Sequence, residues 1–178
     1  MEELIERLEG ALQGIAAERG RIELGEPWPL SAAYGTEPES DWGPKEVLAH
    51  VAEMLPFWLA QIDAILGGGQ EPVPPFGRVT TDPVRIERIG RDRMLPAAEL
   101  FDRIDTAGRT VLARLRTLDS QELGRRGVHP RLGEMTVQAL VERFIVGHVE
   151  DHVGQLRDVQ TRAADARSNP ADSGASPA

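Results

Sequence analysis

The chain has 178 residues and a formal net charge of −9, from 29 acidic and 20 basic side chains. The length suits one domain, and the acidic balance argues against a general nucleic-acid binder, which would carry a basic patch. The absence of cysteine excludes disulfide bonds, thiolate zinc sites and a cysteine nucleophile. The start of the chain is acidic, unlike a secretory signal, and no apolar run reaches the roughly 18 residues of a membrane span. We therefore expect a cytoplasmic protein.

The first half of the chain predicts two long helices. Apolar residues recur with a spacing near 3.6, which indicates an all-α fold. The first helix is predicted over residues 2–19, and a loop rich in Pro and Gly follows over 21–41. The second helix is predicted over 44–66, with Pro44 in the first helical position. Pro56 lies inside this helix, opposite the apolar stripe, and should face solvent.

The second half predicts two more long helices after a crossover. Residues 70–78 are rich in Pro and Gly, and the pattern allows a short helix over 83–92. A third long helix is predicted from Pro96 or Ala97 to Leu118, and a fourth over 136–161. Four long amphipathic helices predict a four-helix bundle. The long crossover favours a connectivity other than the simplest up-down-up-down order.

The end of the chain has a different composition. Its last seventeen residues, 162–178, contain no Leu, Ile, Val or aromatic side chain. A segment that buries so little apolar surface does not become ordered. We therefore expect one bundle domain over residues 1–160 and a disordered tail over 161–178.

The chain contains four histidines, and three of them predict a metal site. His148 and His152 are four residues apart on the fourth helix, so their rings lie on one face. His50 lies at the edge of the inward face of the second helix. A buried imidazole without a partner costs free energy. A divalent cation bound by all three imidazoles would supply that partner. Asp151 and Gln155 share the predicted stripe and are candidates for orienting the ligands.

Each part of this pattern also has an ordinary structural interpretation. A single inward histidine is more often a hydrogen-bonded core residue than a ligand, and the spacing of the pair is a weak signal by itself. His129 lies in a predicted loop and is expected to be structural or solvated. Four arginines near the crossover are expected to form a solvated face, with binding of an anionic substrate as the alternative. They are Arg85, Arg88, Arg91 and Arg93.

Three segments resemble motifs of the DinB-like superfamily: residues 41–51, residues 129–136 and residues 147–156. The resemblance extends over about residues 1–160. It implies a four-helix bundle of the DinB/YfiT type, arranged down-up-up-down and commonly homodimeric. It also implies a divalent metal on His50, His148 and His152, and this chain has histidine at all three positions.

The same resemblance implies a class of activity. Family members with known activity are metal-dependent thiol-S-transferases and isomerases that use bacillithiol, mycothiol or glutathione. We therefore expect one divalent ion (zinc, nickel, iron or manganese) that activates a low-molecular-weight thiol or water. The alternatives are a non-catalytic metal-binding stress or interaction protein, and a metal-free bundle with histidines in its core. The expected partners are a small-molecule substrate and a second copy of the chain, and neither nucleic acid nor a membrane.

Overall fold

The computed structural model describes residues 1–32, 41–69 and 71–168, with side chains described up to Thr161. Within these residues no helix combines the length and the apolar character needed to cross a membrane. The elements are α1 (Glu2–Ala17), α2 (Arg19–Leu24), α3 (Pro44–Gly67), α4 (Pro83–Asp92), α5 (Ala97–Leu115), α6 (Ser120–Gly124), β1 (Arg126–His129), β2 (Gly133–Thr136), α7 (Val137–Leu140), a π-helical segment (Val141–Val146) and α8 (Gly147–Ser168).

Helices α1 and α8 run parallel to each other along one side of a four-helix bundle. Near their N-terminal ends Arg7 pairs with Glu150, with 2.7 Å between Nη2 and Oε2. Further along both helices Arg157 pairs with Glu18, with 3.2 Å between Nε and Oε1. These two contacts at different levels fix the direction of one helix relative to the other.

Helices α3 and α5 also run parallel to each other. Lys45, at the start of α3, donates a hydrogen bond to the carbonyl of Leu95, just before α5. Towards the other ends Arg114 of α5 pairs with Asp63 of α3 at 3.1 Å. Both helices therefore point the same way, which requires the chain to return between them.

The α3–α5 pair is antiparallel to the α1–α8 pair. His50 of α3 lies against His148, whereas Trp58, two turns later in α3, stacks on Phe144, one turn before His148. The order of directions is thus down-up-up-down, and the predicted four-helix bundle is confirmed. The crossover between α3 and α5 makes this order possible, because it carries the chain back along the bundle before α5 begins.

The predicted helices lie where the sequence places them, with differences at their ends. The first predicted helix is divided at Glu18, and α2 extends helical structure to Leu24, inside the predicted loop over 21–41. The reason is burial: Ile22 is fully buried, and its carbonyl accepts a hydrogen bond from the indole of Trp28. Helix α5 ends at Leu115 rather than at the predicted Leu118.

The fourth long helix extends beyond its predicted end at Thr161. The backbone is helical as far as Ser168. The rest of the predicted tail, residues 169–178, lies outside the described residues. The expected division into a bundle domain and a disordered tail therefore stays a prediction.

A small antiparallel hairpin, β1–β2, stands where the sequence predicts a loop. It pairs Gly127 with Met135, and Gly133 adopts a positive φ of 74° at the turn. The crossover segment joins it, because Val128 donates to the carbonyl of Pro74 at 2.9 Å. Strands of four residues with little apolar alternation carry no clear signal in the sequence. Backbone pairing with the crossover accounts for the hairpin.

A π-helical segment, Val141–Val146, interrupts the predicted fourth helix. The i to i+5 bonding of a π turn adds residues per turn, so the buried face beyond it lies at later positions than on a regular helix. Asp151, predicted to lie in the inward stripe, is exposed for this reason. The buried side chains on α8 and at the end of the π segment are Ile145, Val146, Val149, His152, Val153 and Leu156.

Candidate metal centre

Three histidines from two antiparallel helices converge in the bundle. One ligand nitrogen from each of His50, His148 and His152 lies within 4.8 Å of the other two. The Nε2 atoms of His50 and His148 are 3.1 Å apart. Nitrogen–metal bonds of about 2.0–2.1 Å place two nitrogens of one ion roughly 3 Å apart, so the spacing fits a shared ion.

His50 does not have the hydrogen bonds of an ordinary core histidine. His50 lies on α3 with its side chain buried in the bundle, and its Nδ1 has no hydrogen-bond partner among the residues described. The other ring nitrogen, Nε2, faces the imidazole of His148. The facing of two neutral imidazole nitrogens, His50 Nε2 and His148 Nε2, fits two ligands of one ion.

A buried carboxylate anchors the start of α3 one turn before His50. Glu46 accepts hydrogen bonds from the backbone N–H groups of Gly43 at 3.2 Å and Ser31 at 2.8 Å. The guanidinium of Arg93 donates to the same carboxylate at 2.9 Å. These contacts satisfy the charge of Glu46 and hold the first turn of α3, which places His50 in the core.

Gln155 orients the third histidine. Its Oε1 lies 2.8 Å from Nδ1 of His152, and because an amide oxygen can only accept, Nδ1–H is the donor. Nε2 of His152 is then the atom that would bind an ion. An outer hydrogen bond of this kind is the usual companion of a metal-bound imidazole. Asp151, the other residue predicted to orient a ligand, lies on the exposed side of α8.

Burial keeps His50 and His148 neutral. It lowers the pKa of His50 well below its usual value, and the neighbouring rings of His152 and His148 lower it further. The pKa of His148 falls to about 3, chiefly through burial and then through His152 and the cations Arg85 and Arg78. Neutral imidazole is the form that binds a metal ion. Both rings are therefore in their ligating form at neutral pH.

Aromatic side chains line the bundle beside the histidines. The ring of Trp42 meets the ring of His50 edge-on, with 5.4 Å between centroids. One turn before His148, Phe144 stacks on Trp58, with 4.4 Å between centroids. Trp42 therefore covers one side of the His50 ring, and the Trp58–Phe144 pair lies further along the bundle. His148 itself is only partly buried, which makes it the accessible member of the three.

His129 has a structural role, as the sequence favoured, although it lies on β1 and not in a loop. Its Nδ1 accepts hydrogen bonds from the backbone N–H groups of Arg131 at 3.2 Å and Leu132 at 3.3 Å. Gly77 of the crossover presses against its ring: a Cβ there would lie 2.5 Å from Cδ2. His129 thus joins the hairpin to the crossover, and it is not in the three-histidine group.

The four arginines near the crossover do not form one solvated face. Arg85 is buried, donates to the carbonyl of Thr80 at 2.9 Å and lies 5.4 Å above the ring of Trp42. Arg93 is also largely buried, against the carboxylate that anchors α3. Only Arg88 and Arg91 fit the predicted solvated face. These charged side chains are buried because a hydrogen-bond partner, a carboxylate or an aromatic ring lies against them. Helical periodicity does not indicate such partners.

The comparisons with known proteins concern family and fold. The family model of the DinB superfamily matches residues 1–156. No curated protein matches the chain. Among solved structures, the chain resembles YfiT from Bacillus subtilis, described as a probable metal-dependent hydrolase with an unusual four-helix bundle topology. The two share 16% sequence identity over 89% of each chain, with a TM-score of 0.61, which shows a common fold.

Proposed function

This chain belongs to the DinB superfamily, and on that premise we propose that it is a metal-dependent enzyme with one divalent cation held by His50, His148 and His152. The observation that carries the proposal is the convergence of three buried or partly buried imidazoles within 4.8 Å. Three protein ligands leave coordination positions for substrate, as in catalytic sites. Zinc, nickel, iron and manganese are the candidate ions.

The donor set favours a thiol as the nucleophile. A cation held there would lower the pKa of a coordinated thiol or water and hold the resulting anion for attack on an electrophile. Within the described residues no Asp or Glu joins the three histidines. A metal ion lowers the pKa of a bound water to about 7, whereas a coordinated thiol is deprotonated outright. Because the chain has no cysteine, the thiol comes from solution, and we propose a thiol-S-transferase.

Each residue of the site has a part in this reaction. His50 and His152 are buried and hold the reacting centre, and Gln155 fixes the orientation of the His152 ring. His148 is the partly exposed ligand and marks the side from which substrate approaches. The buried ring of Trp42 lies against His50 and keeps bulk water from that ligand, which strengthens the binding of an anion.

Two other functions compete with this one. Hydrolysis by a coordinated water is favoured by the description of YfiT as a probable metal-dependent hydrolase. A non-catalytic metal-binding protein would use the same three histidines without turnover. Both share the metal site of the main proposal and differ in the chemistry that follows.

One experiment separates these functions. Protein loaded with zinc, nickel or manganese, or with iron under anaerobic conditions, is assayed for metal content and for conjugation of low-molecular-weight thiols to a chlorodinitrobenzene. Ester hydrolysis without thiol is measured in parallel. We expect thiol-dependent turnover that His148→Ala removes and the exposed control Asp151→Asn retains. Turnover without thiol would identify a hydrolase, bound metal without turnover a non-catalytic protein, and the absence of bound metal would overturn the proposal.

A further inference from the structure

Two arginines share one buried carboxylate next to the three-histidine cluster. Glu53 lies one turn along α3 from His50, and its side chain is only 2% exposed. Arg78 donates two hydrogen bonds to this carboxylate, one of them at 2.7 Å, and Arg88 lies 3.7 Å from it. Two positive charges therefore meet one negative charge, so the group carries a net charge of about +1 in an otherwise acidic protein.

The first of these arginines is held rigidly. Its guanidinium lies 3.7 Å from the centroid of the Phe57 ring and its side chain is 9% exposed. The adjacent Gly77 donates its backbone N–H to Gln61 of α3 at 2.7 Å, which fixes the crossover against that helix. Arg78 has both ends of its guanidinium engaged by Glu53. Arg78 therefore neutralises the buried carboxylate, and the guanidinium of the second arginine keeps N–H donors for a ligand.

The second arginine is placed to bind a ligand. Arg88 lies on α4 with its side chain 49% exposed, and its contact with Glu53 is too long for a hydrogen bond. A planar guanidinium offers paired N–H donors that match a carboxylate. Glu53 lies about 4.5 Å along α3 from His50, because a helix rises 1.5 Å per residue. A small molecule could reach from the histidines to this arginine.

We propose that the substrate activated at the three histidines carries a carboxylate, and that Arg88 binds this carboxylate. This inference rests on the proposed thiol-transferase function and specifies its substrate class: a low-molecular-weight acidic thiol. Arg78 and Glu53 act as positioning residues, since they hold the site of positive charge beside the metal ligands.

The test compares two thiols of equal length, 3-mercaptopropionate and 3-mercapto-1-propanol. Their binding to the cobalt-loaded full-length protein is followed by the thiolate-to-cobalt absorption band, and their turnover is measured with the zinc-loaded protein. We expect the wild type to bind the carboxylate thiol about tenfold more tightly, as a charge-assisted pair provides. Arg88→Gln should bring the ratio of the two affinities close to one, and Arg88→Lys should restore part of it.

Arg91→Gln is the matched control, since it removes the same charge from the same helix. Arg91 is exposed and pairs with Asp92 rather than with Glu53. It should leave the ratio of the two thiol affinities at the wild-type value. Equal affinities in the wild type, or an equal effect of Arg88→Gln and Arg91→Gln, would overturn the inference and leave the proposed function standing. If neither thiol binds to cobalt, the proposed function fails and this inference fails with it.

Discussion

The interface between α1 and α5 differs in kind from the interface between α3 and α8. Between α1 and α5 the contact is aliphatic and close: a Cβ on Gly108 would lie 2.7 Å from Cδ1 of Leu12. An exposed ion pair at its rim joins Glu9 of α1 to Arg116, the residue after the end of α5. Between α3 and α8, together with the π-helical segment before α8, the facing side chains are imidazoles and aromatic rings. The Nε2 atoms of His50 and His148 are 3.1 Å apart.

The aliphatic interface contributes mainly to stability, and the interface with the imidazoles contributes mainly to function. Aliphatic burial stabilises the fold without any further partner, at about 25 cal/mol for each Å² of apolar surface. Buried imidazoles gain less, because their nitrogens must be satisfied. A loss of side-chain volume in the α1–α5 interface should therefore lower the free energy of unfolding. The properties of the α3–α8 interface should depend on what its histidines bind. Four predictions test this contrast, from the largest expected effect to the smallest.

Removal of one histidine from the α3–α8 interface should abolish tight metal binding. We expect His50→Ala and His148→Ala each to lower metal affinity about 100-fold or more, since even outer contacts are worth up to that factor. Both variants should remain folded, because the aliphatic core is intact. Competition with a chromogenic chelator measures the affinity, and Asp151→Asn is the exposed control. Wild-type affinity in both histidine variants would contradict the assignment.

Loss of volume on the buried aliphatic face of α1 should have the opposite outcome. Leu8 of α1 is fully buried, so Leu8→Ala leaves a cavity and should lower the free energy of unfolding by about 3 kcal/mol. The folded fraction should still bind one ion per chain. Urea denaturation of the metal-free protein measures the stability, and elemental analysis measures the ion. A folded Leu8→Ala protein without metal would show that the two interfaces are not independent.

The outer hydrogen bond of the metal centre should have an intermediate effect. Gln155→Leu keeps most of the side-chain volume and removes the acceptor that lies 2.8 Å from Nδ1 of His152. We expect metal affinity to fall about tenfold. Gln155→Glu, which keeps an acceptor, should retain most of the affinity. Equal affinities in all three proteins would show that this contact does not orient the ligand.

Acid should destabilise the metal-free protein through its histidines. Because the folded-state pKa of His148 is lowered to about 3, the unfolded chain binds the proton first as the pH falls below about 6.5. This stabilisation is complete above pH 6.5 and is lost as the pH falls towards 3. Between pH 6.5 and 5, His148→Gln should reduce the loss of unfolding free energy by about 1.6 kcal/mol.

Chemical denaturation at several pH values, with chelator present throughout, provides this measurement. His129→Gln removes a histidine from the hairpin and tests whether the effect belongs to the cluster. The pKa of His129 is lowered less than that of His50, mainly by burial. An unchanged pH dependence in His148→Gln would mean that this ring has the same pKa in the folded and the unfolded protein.

Local sequence determined the position of the main helices and of the three histidines. Pro44 begins α3, and Pro56 faces solvent inside it, as a ring without an N–H must when the apolar stripe lies opposite. The short helix over 83–92 also lies as predicted. Spacing within one helix was enough to pair His148 with His152, because neighbours four apart share a face.

Tertiary contacts decided what periodicity could not. The π-helical segment moves the buried face of α8 and turns Asp151 outward, because packing against Trp58 and the hairpin outweighs regular α geometry at Phe144. The burial of Arg85 depends on a ring and a carbonyl from other segments. Helical periodicity predicts which residues of one helix are buried. It does not identify the partner of a buried polar group, because that partner lies elsewhere in the chain. The sequence alone therefore determined the bundle and the positions of its three histidines, and tertiary structure decided which charges surround them.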